Sequence, residues 1–133
     1  MTATTSLTEQ NRALVQSMYA AATRGDAESL MSLLADDVVV HEPDYLPYGA
    51  EYVGKEAFAG LFGKISQLLD LTDVKLDYLV ADNDRVIGVL RIPDRNTGKD
   101  TLFAEQSTIR DGKIVDLRIF YYDAQSMIGA PKI

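Results

Sequence analysis

The stretch VQSMYAAATRGDAESLMSLLADDVVVHEP, Val15 to Pro43, decides the fold. Leu14, Val15, Met18, Tyr19 and Ala22 recur at three- and four-residue steps and mark one apolar helical face. Gly25 stops that helix, and Asp26 caps a second one whose buried side is Leu30, Met31, Leu33 and Leu34. The connection is too short for anything but an αα-hairpin. Val38 to Glu42 then reads as a strand, ended by Pro43.

Upstream, Ser6 and Glu9 have capping-box spacing, and residues 1–6 are expected to form a flexible tail. Downstream, Pro43 to Val53 is rich in turn formers and reads as a loop. A third helix follows Gly54, with Ala57, Phe58, Leu61, Phe62, Ile65, Leu68 and Leu69 on one face. Strands are predicted at Val74–Ala81, Arg85–Ile92, Thr101–Arg110 and Lys113–Tyr122. Asp82-Asn83-Asp84 turns between the first two, Pro93–Lys99 is a polar loop, and Asp111-Gly112 is the strongest hairpin signal. Residues 124–133 read as a short amphipathic C-terminal tail. The order α-α-β-α-β-β-β-β predicts one α+β domain over residues 1–133, a curved antiparallel sheet wrapped around three helices.

The bulk properties narrow the function. With 133 residues, 47% of them hydrophobic and 25% charged, the chain has the material for a core. A net charge of −7 argues against nucleic acid or an anionic membrane as partner, since both call for a basic footprint. There is no cysteine, which removes thiolate catalysis, zinc–thiolate sites and iron–sulfur clusters. The N-terminus lacks the pattern of a signal peptide, and no apolar run approaches a membrane span. The expectation is a cytoplasmic protein working on a small apolar molecule.

Candidate chemistry gathers around the end of the first strand. His41, the only histidine, adjoins Glu42, and Asp44 follows Pro43. Tyr45, Tyr48 and Tyr52 lie just beyond and could cover the mouth of a site. Strand alternation sends His41 and Glu42 to opposite faces, so one of them is the base and the other an outsider. Asp44 could share the face of Glu42, or form a local turn. Neither a glycine-rich phosphate loop nor a nucleophilic triad can be assembled, and one histidine with scattered carboxylates makes a poor metal site.

The Gly-Asp between two helices, the Ala-Asp-Asp before the first strand and the Asp-Gly-Lys-Ile hairpin stand in an order that resembles the ketosteroid-isomerase-like and SnoaL-like polyketide cyclase proteins, which share the shape of nuclear transport factor 2. The likeness runs from about Leu7 to Asp123. It implies a cone-shaped cavity, a homodimer packed through the sheet and no cofactor. It also implies a general base at Glu42, and puts the isomerases' oxyanion tyrosine at Met18, one residue from Tyr19. Their protonated carboxylic acid lies on the strand before the last hairpin. Counting pairs back from Asp111-Gly112 sets Ile109 against Ile114, Ser107 against Asp116, Gln106 against Leu117 and Glu105 against Arg118, which puts Gln106 in that place.

The same count lines the cavity with Leu102, Ala104, Leu117, Ile119 and Tyr121, with Phe58 opposite on the third helix. It leaves Glu105 and Arg118 as an ion pair on the outer face. A register one residue off would instead bring that pair inward, as in epoxide hydrolases of this fold. The expected function is acid–base isomerisation or cyclisation of a polyketide-, terpenoid- or steroid-like compound, by Glu42 with Gln106 and a tyrosine. Epoxide hydrolysis or dehydration, or a non-catalytic binding or assembly module, are the alternatives.

Overall fold

The structure, a computed structural model, describes residues 6–133. The expected tail up to residue 5 lies outside the described residues. Ser6 caps α1 (Leu7–Thr23), its side chain accepting from the Glu9 amide at 3.1 Å. Gly25, at φ +72°, turns the chain, and Asp26 caps α2 (Ala27–Ser32) by accepting from the Ser29 amide.

The next element, β1 (Leu34–Glu42), begins earlier than the apolar run suggests, so Leu34 belongs to the strand and not to the second helix. A second difference is β2 (Ala50–Val53), a strand within the stretch expected as loop. It pairs antiparallel with the end of β1, Glu42 lying opposite Ala50. Four residues with only partial burial leave too little alternation to show a strand in sequence. The third helix, α3 (Lys55–Ile65), is followed by β3 (Lys75–Asp82), β4 (Arg85–Pro93), β5 (Asp100–Arg110) and β6 (Lys113–Tyr121).

The six strands form one sheet in the order β2-β1-β6-β5-β4-β3. All pairs are antiparallel except β1 with β6, which run parallel. That parallel pair inserts the N-terminal strand beside the last one. The sheet's inner face packs on the helices through a core that includes Val15, Val38, Val40, Leu61, Val86, Leu90 and Ile114.

The hairpin between β5 and β6 turns at Asp111 and Gly112, both with positive φ, as the sequence requires. Its register then shifts by one. Ile109 faces Ile114, but Thr108 faces Asp116, leaving Val115 as an extra residue in β6. Beyond that bulge Ser107 pairs with Leu117, Gln106 with Arg118 and Glu105 with Ile119. The expected pairs of Ser107 with Asp116, Gln106 with Leu117 and Glu105 with Arg118 are therefore corrected by one residue.

The C-terminal segment packs on the fold. Met127 is buried, the Ile133 amide donates to Pro47 O at 2.9 Å, and Lys132 Nζ donates to the carbonyls of Asp44 and Leu46.

Candidate active site

Strand alternation settles the rivalry at the end of β1. Val40 and Glu42 are buried on the inner face. His41 points the other way, with Nε2 2.8 Å from Asp116 Oδ2 and Nδ1 3.1 Å from Glu51 Oε1. It is a polar cross-strand link on the outer face and does not reach the cavity.

The bulge at Val115 decides β5. On β6, Leu117, Ile119 and Tyr121 face inward, and their partners Ser107, Glu105 and Phe103 face inward with them. Gln106, Leu102 and Ala104 alternate outward. Gln106 lies instead with Arg118, Asp116 and Arg85 along an outer polar groove. The expected inner wall of Leu102 and Ala104 is thus formed by Phe103 and Glu105. Glu105 and Arg118 are on opposite faces, so neither the outer ion pair nor an inward carboxylate–arginine pair forms.

One row across the sheet carries both carboxyl groups of the cavity. His41 pairs with Arg118, so Glu42 is level with Ile119, which pairs with Glu105, which pairs with Gly88. Two carboxyl groups therefore flank the Ile119 side chain on strands either side of β6, with backbones roughly 10 Å apart at the usual strand spacing. They share a cavity of about 100 Å³ with Met18, Tyr19 and Ala22 of α1, Phe58, Phe62 and Ile65 of α3, and Phe103, Ile119 and Tyr121 of the sheet. Phe58 and Phe62 meet edge to face, ring centres 4.9 Å apart.

Each carboxyl has a tyrosine. Tyr19 Oη donates to Glu105 Oε1 at 3.0 Å, and Tyr121 Oη donates to Glu42 Oε1 at 3.2 Å. Tyr121 is backed in turn by the Tyr48 hydroxyl at 2.6 Å. Burial raises both acids above the ordinary 4.5, Glu42 to about 8 and Glu105 to about 7. The charge of Glu105 adds to the rise at Glu42, while the tyrosine hydrogen bonds oppose it at each site. The tyrosines move up as well, chiefly by burial. The pair therefore keeps a proton near neutral pH and titrates as a unit.

Of the residues singled out in sequence, Glu42, Met18, Tyr19, Phe58, Ile119 and Tyr121 line the cavity. Leu117 faces inward but lies buried below it. Asp44 and Tyr45 do not line it, and the Tyr45 ring is half exposed. Tyr48 is no lid: it is buried, and reaches the site only through Tyr121. Tyr52 is likewise buried, donating to Tyr48 O at 2.6 Å.

Glu105 was expected inside only under the shifted register, and then paired with Arg118; Gly88 was missed outright. The bulge at Val115 is what selects that register. Gly88 leaves the space that Tyr19 fills, since a Cβ there would meet the Tyr19 hydroxyl at 2.7 Å and its ring at 2.9 Å. A glycine inside an otherwise apolar strand was the available signal. Among the described residues no cluster of acids or histidines could hold a metal, and no helix is long and apolar enough to cross a membrane.

Comparison with known proteins agrees with this architecture. The model of the SnoaL-like domain family matches residues 15–117. No curated protein matches the chain. Among solved structures, Bal32a from a soil-derived mobile gene cassette is 26% identical, with a TM-score of 0.79 over 89% of this chain and 93% of its own. An NTF2-like protein from Burkholderia thailandensis E264 is 28% identical, with a TM-score of 0.73 over 84% and 89%. A candidate polyketide cyclase from Xanthomonas campestris pv. campestris is similar in fold, at 24% identity and a TM-score of 0.72 over 92% and 97%.

Proposed function

The chain belongs to the SnoaL-like domain family, and we propose that within it this protein is a cofactor-independent acid–base enzyme that isomerises or cyclises a neutral, oxygenated, largely apolar substrate. The observation that carries this reading is the pair Glu42 and Glu105, flanking an apolar floor in a cavity lined by no basic side chain.

In its singly protonated form the pair offers one carboxylate and one carboxylic acid. Burial raises both acids, so the free site holds one proton shared between them. A substrate carbonyl over Glu105 draws the proton there, because a hydrogen bond from the neutral acid favours that acid's protonated form. Glu42 is then the carboxylate, at the position the family resemblance gives to the base. It takes the proton on the carbon next to the carbonyl; the C–H electron pair moves into the new C=C bond as the oxygen gains negative charge. Glu105 and a tyrosine hydroxyl stabilise that oxygen. In a β,γ-unsaturated ketone the proton returns from Glu42 to the γ-carbon of the dienolate, completing an isomerisation; in a dicarbonyl compound the enolate carbon attacks the second carbonyl and the resulting alkoxide takes the proton from Glu42, completing a cyclisation.

The test is exchange of ketone α-hydrogens in D₂O, followed by NMR. Glu42→Gln is expected to abolish exchange while ligand binding survives; normal exchange in that variant overturns the assignment. Glu105→Gln keeps a hydrogen-bond donor but loses the acid, and is expected to slow exchange by about 10²-fold, within the usual range for a general acid.

We also propose that a second copy packs on the outer sheet face. There Tyr78, Val89, Ala104 and Phe120 form one apolar row across four strands, with Tyr78 and Phe120 more than half exposed. Light scattering on wild type and Phe120→Glu tests it: the dimer should be lost in the variant.

A further inference from the structure

The cavity between Glu42 and Glu105 is small for the chemistry it serves. At about 100 Å³ it is below the ~150 Å³ of an engineered protein cavity that holds one benzene molecule. A terpenoid- or polyketide-sized substrate cannot fit there whole. The cavity borders a second space, however. Ala22, Leu30, Phe62, Leu71 and Val74 line both it and a second, outer cleft of about 180 Å³. The two spaces adjoin through these five shared residues, the outer one lying between the α1–α2 corner and the segment that leads into β3.

The corner explains why that cleft is open. Its wall is built from Ala21, Gly25 and Ala27, which have little or no side chain with which to fill it. The cleft's only charged residue, Asp26, is already committed to capping α2 and to Arg24. No basic group lines either space. A ligand reaching the inner end meets two carboxyl groups, so an anionic head such as a fatty acid's carboxylate is repelled and left unpaired.

We propose that the outer cleft binds the aliphatic tail of the substrate, while its small neutral oxygenated head lies between Glu42 and Glu105. The substrate class is therefore a neutral long-chain or prenyl-like ketone, enone or aldehyde, entering head first past the α1–α2 corner. A compact ring system would leave the cleft empty. This assignment rests on the acid–base reading of the inner site for its orientation.

The experiment is a homologous series of methyl ketones, from 2-butanone to 2-dodecanone, with affinity measured by ligand-observed NMR and α-hydrogen exchange measured in the same tubes. Affinity should rise about threefold to fourfold per added methylene until the cleft is full, and then level off. Decanoate should bind at least tenfold more weakly than 2-undecanone. Ala27→Trp, at an exposed position on the cleft wall, should flatten the chain-length dependence, lowering the ratio of long- to short-ketone affinity by tenfold or more. Circular dichroism and Ala27→Ser control for folding.

An affinity independent of chain length, or a steep dependence that survives Ala27→Trp, overturns the proposal. The two readings fail separately. Exchange without chain-length dependence sinks the cleft and keeps the catalyst. Chain-length-dependent binding without exchange sinks the catalyst and keeps the cleft.

Discussion

The Tyr19 ring lies against the face of Gly88, where any side chain would displace it. Gly88 is also the cross-strand partner of Glu105, so the missing Cβ is what lets the Tyr19 hydroxyl reach that carboxyl. Gly88→Ala should push the ring away, cost about 1–3 kcal/mol in overpacking, and remove the hydrogen bond that holds the Glu105 pKa down. Glu105 should then titrate at higher pH, as followed by carbon NMR of the glutamate carboxyls. Tyr19→Phe should reproduce the upward shift without the steric cost. An unchanged Glu105 titration in both variants would rule out this linkage.

Stability should depend on pH in a direction unusual for carboxylates. Glu42 and Glu105 ionise near 4.5 in the unfolded chain but only toward 8 and 7 in the fold. Between those values the folded state holds more protons, so stability is full below about pH 4.5 and is lost as pH rises through the folded pKa values. Glu42→Gln removes that loss and should stabilise the protein at pH 8 by on the order of a few kcal/mol, with little effect at pH 4. Urea unfolding at the two pH values measures it, and a variant no more stable at pH 8 than wild type would contradict the buried-acid picture.

Ser107 offers a test away from the chemistry. It is fully buried, and its hydroxyl oxygen has no hydrogen-bond partner among the described residues. Leaving a hydroxyl unpaired in an apolar setting costs roughly 1–3 kcal/mol. Ser107→Ala should therefore raise stability, by about 1 kcal/mol after the small cavity it leaves, with unchanged exchange kinetics. Thermal unfolding decides; a destabilised variant would point to a partner for the hydroxyl.

His41 should behave as a surface link. Its two neighbours, Asp116 and Glu51, hold it on the outer face. His41→Asn is expected to lower stability by about 1 kcal/mol or less and to leave the pH profile of exchange in place. A lost limb of that profile in the variant would return the histidine to the mechanism.

These outcomes depend on features that differ in how far the sequence shows them. The apolar spacing of α1 and α3, the Asp111-Gly112 turn and the opposed directions of His41 and Glu42 follow from local periodicity alone. The bulge at Val115 does not. Ile114 and Val115 are both apolar and β-branched, so either could take the inward place, and the choice flips the whole of β5. That single residue separates Gln106 from Glu105 as the second polar group of the site. The parallel pairing of β1 with β6 and the short β2 are equally hidden, since both rest on contacts between distant parts of the chain. The role of Gly88 becomes visible only with Tyr19 lying against it.

The parallel insertion of β1 beside β6 has a consequence for the order of assembly. Tyr121 meets Glu42 across 79 positions and Tyr48 across 73. A chain leaving the ribosome makes its α1–α2 hairpin early, but the slot beside β1 stays vacant until the final strand emerges. Contacts this distant in sequence slow folding, because the intervening loop must be closed before they reward it. Closure of the cavity around Glu42 is therefore a late event in folding, and removing β6 takes Ile119 and Tyr121 away from it while leaving most of the chain's length intact.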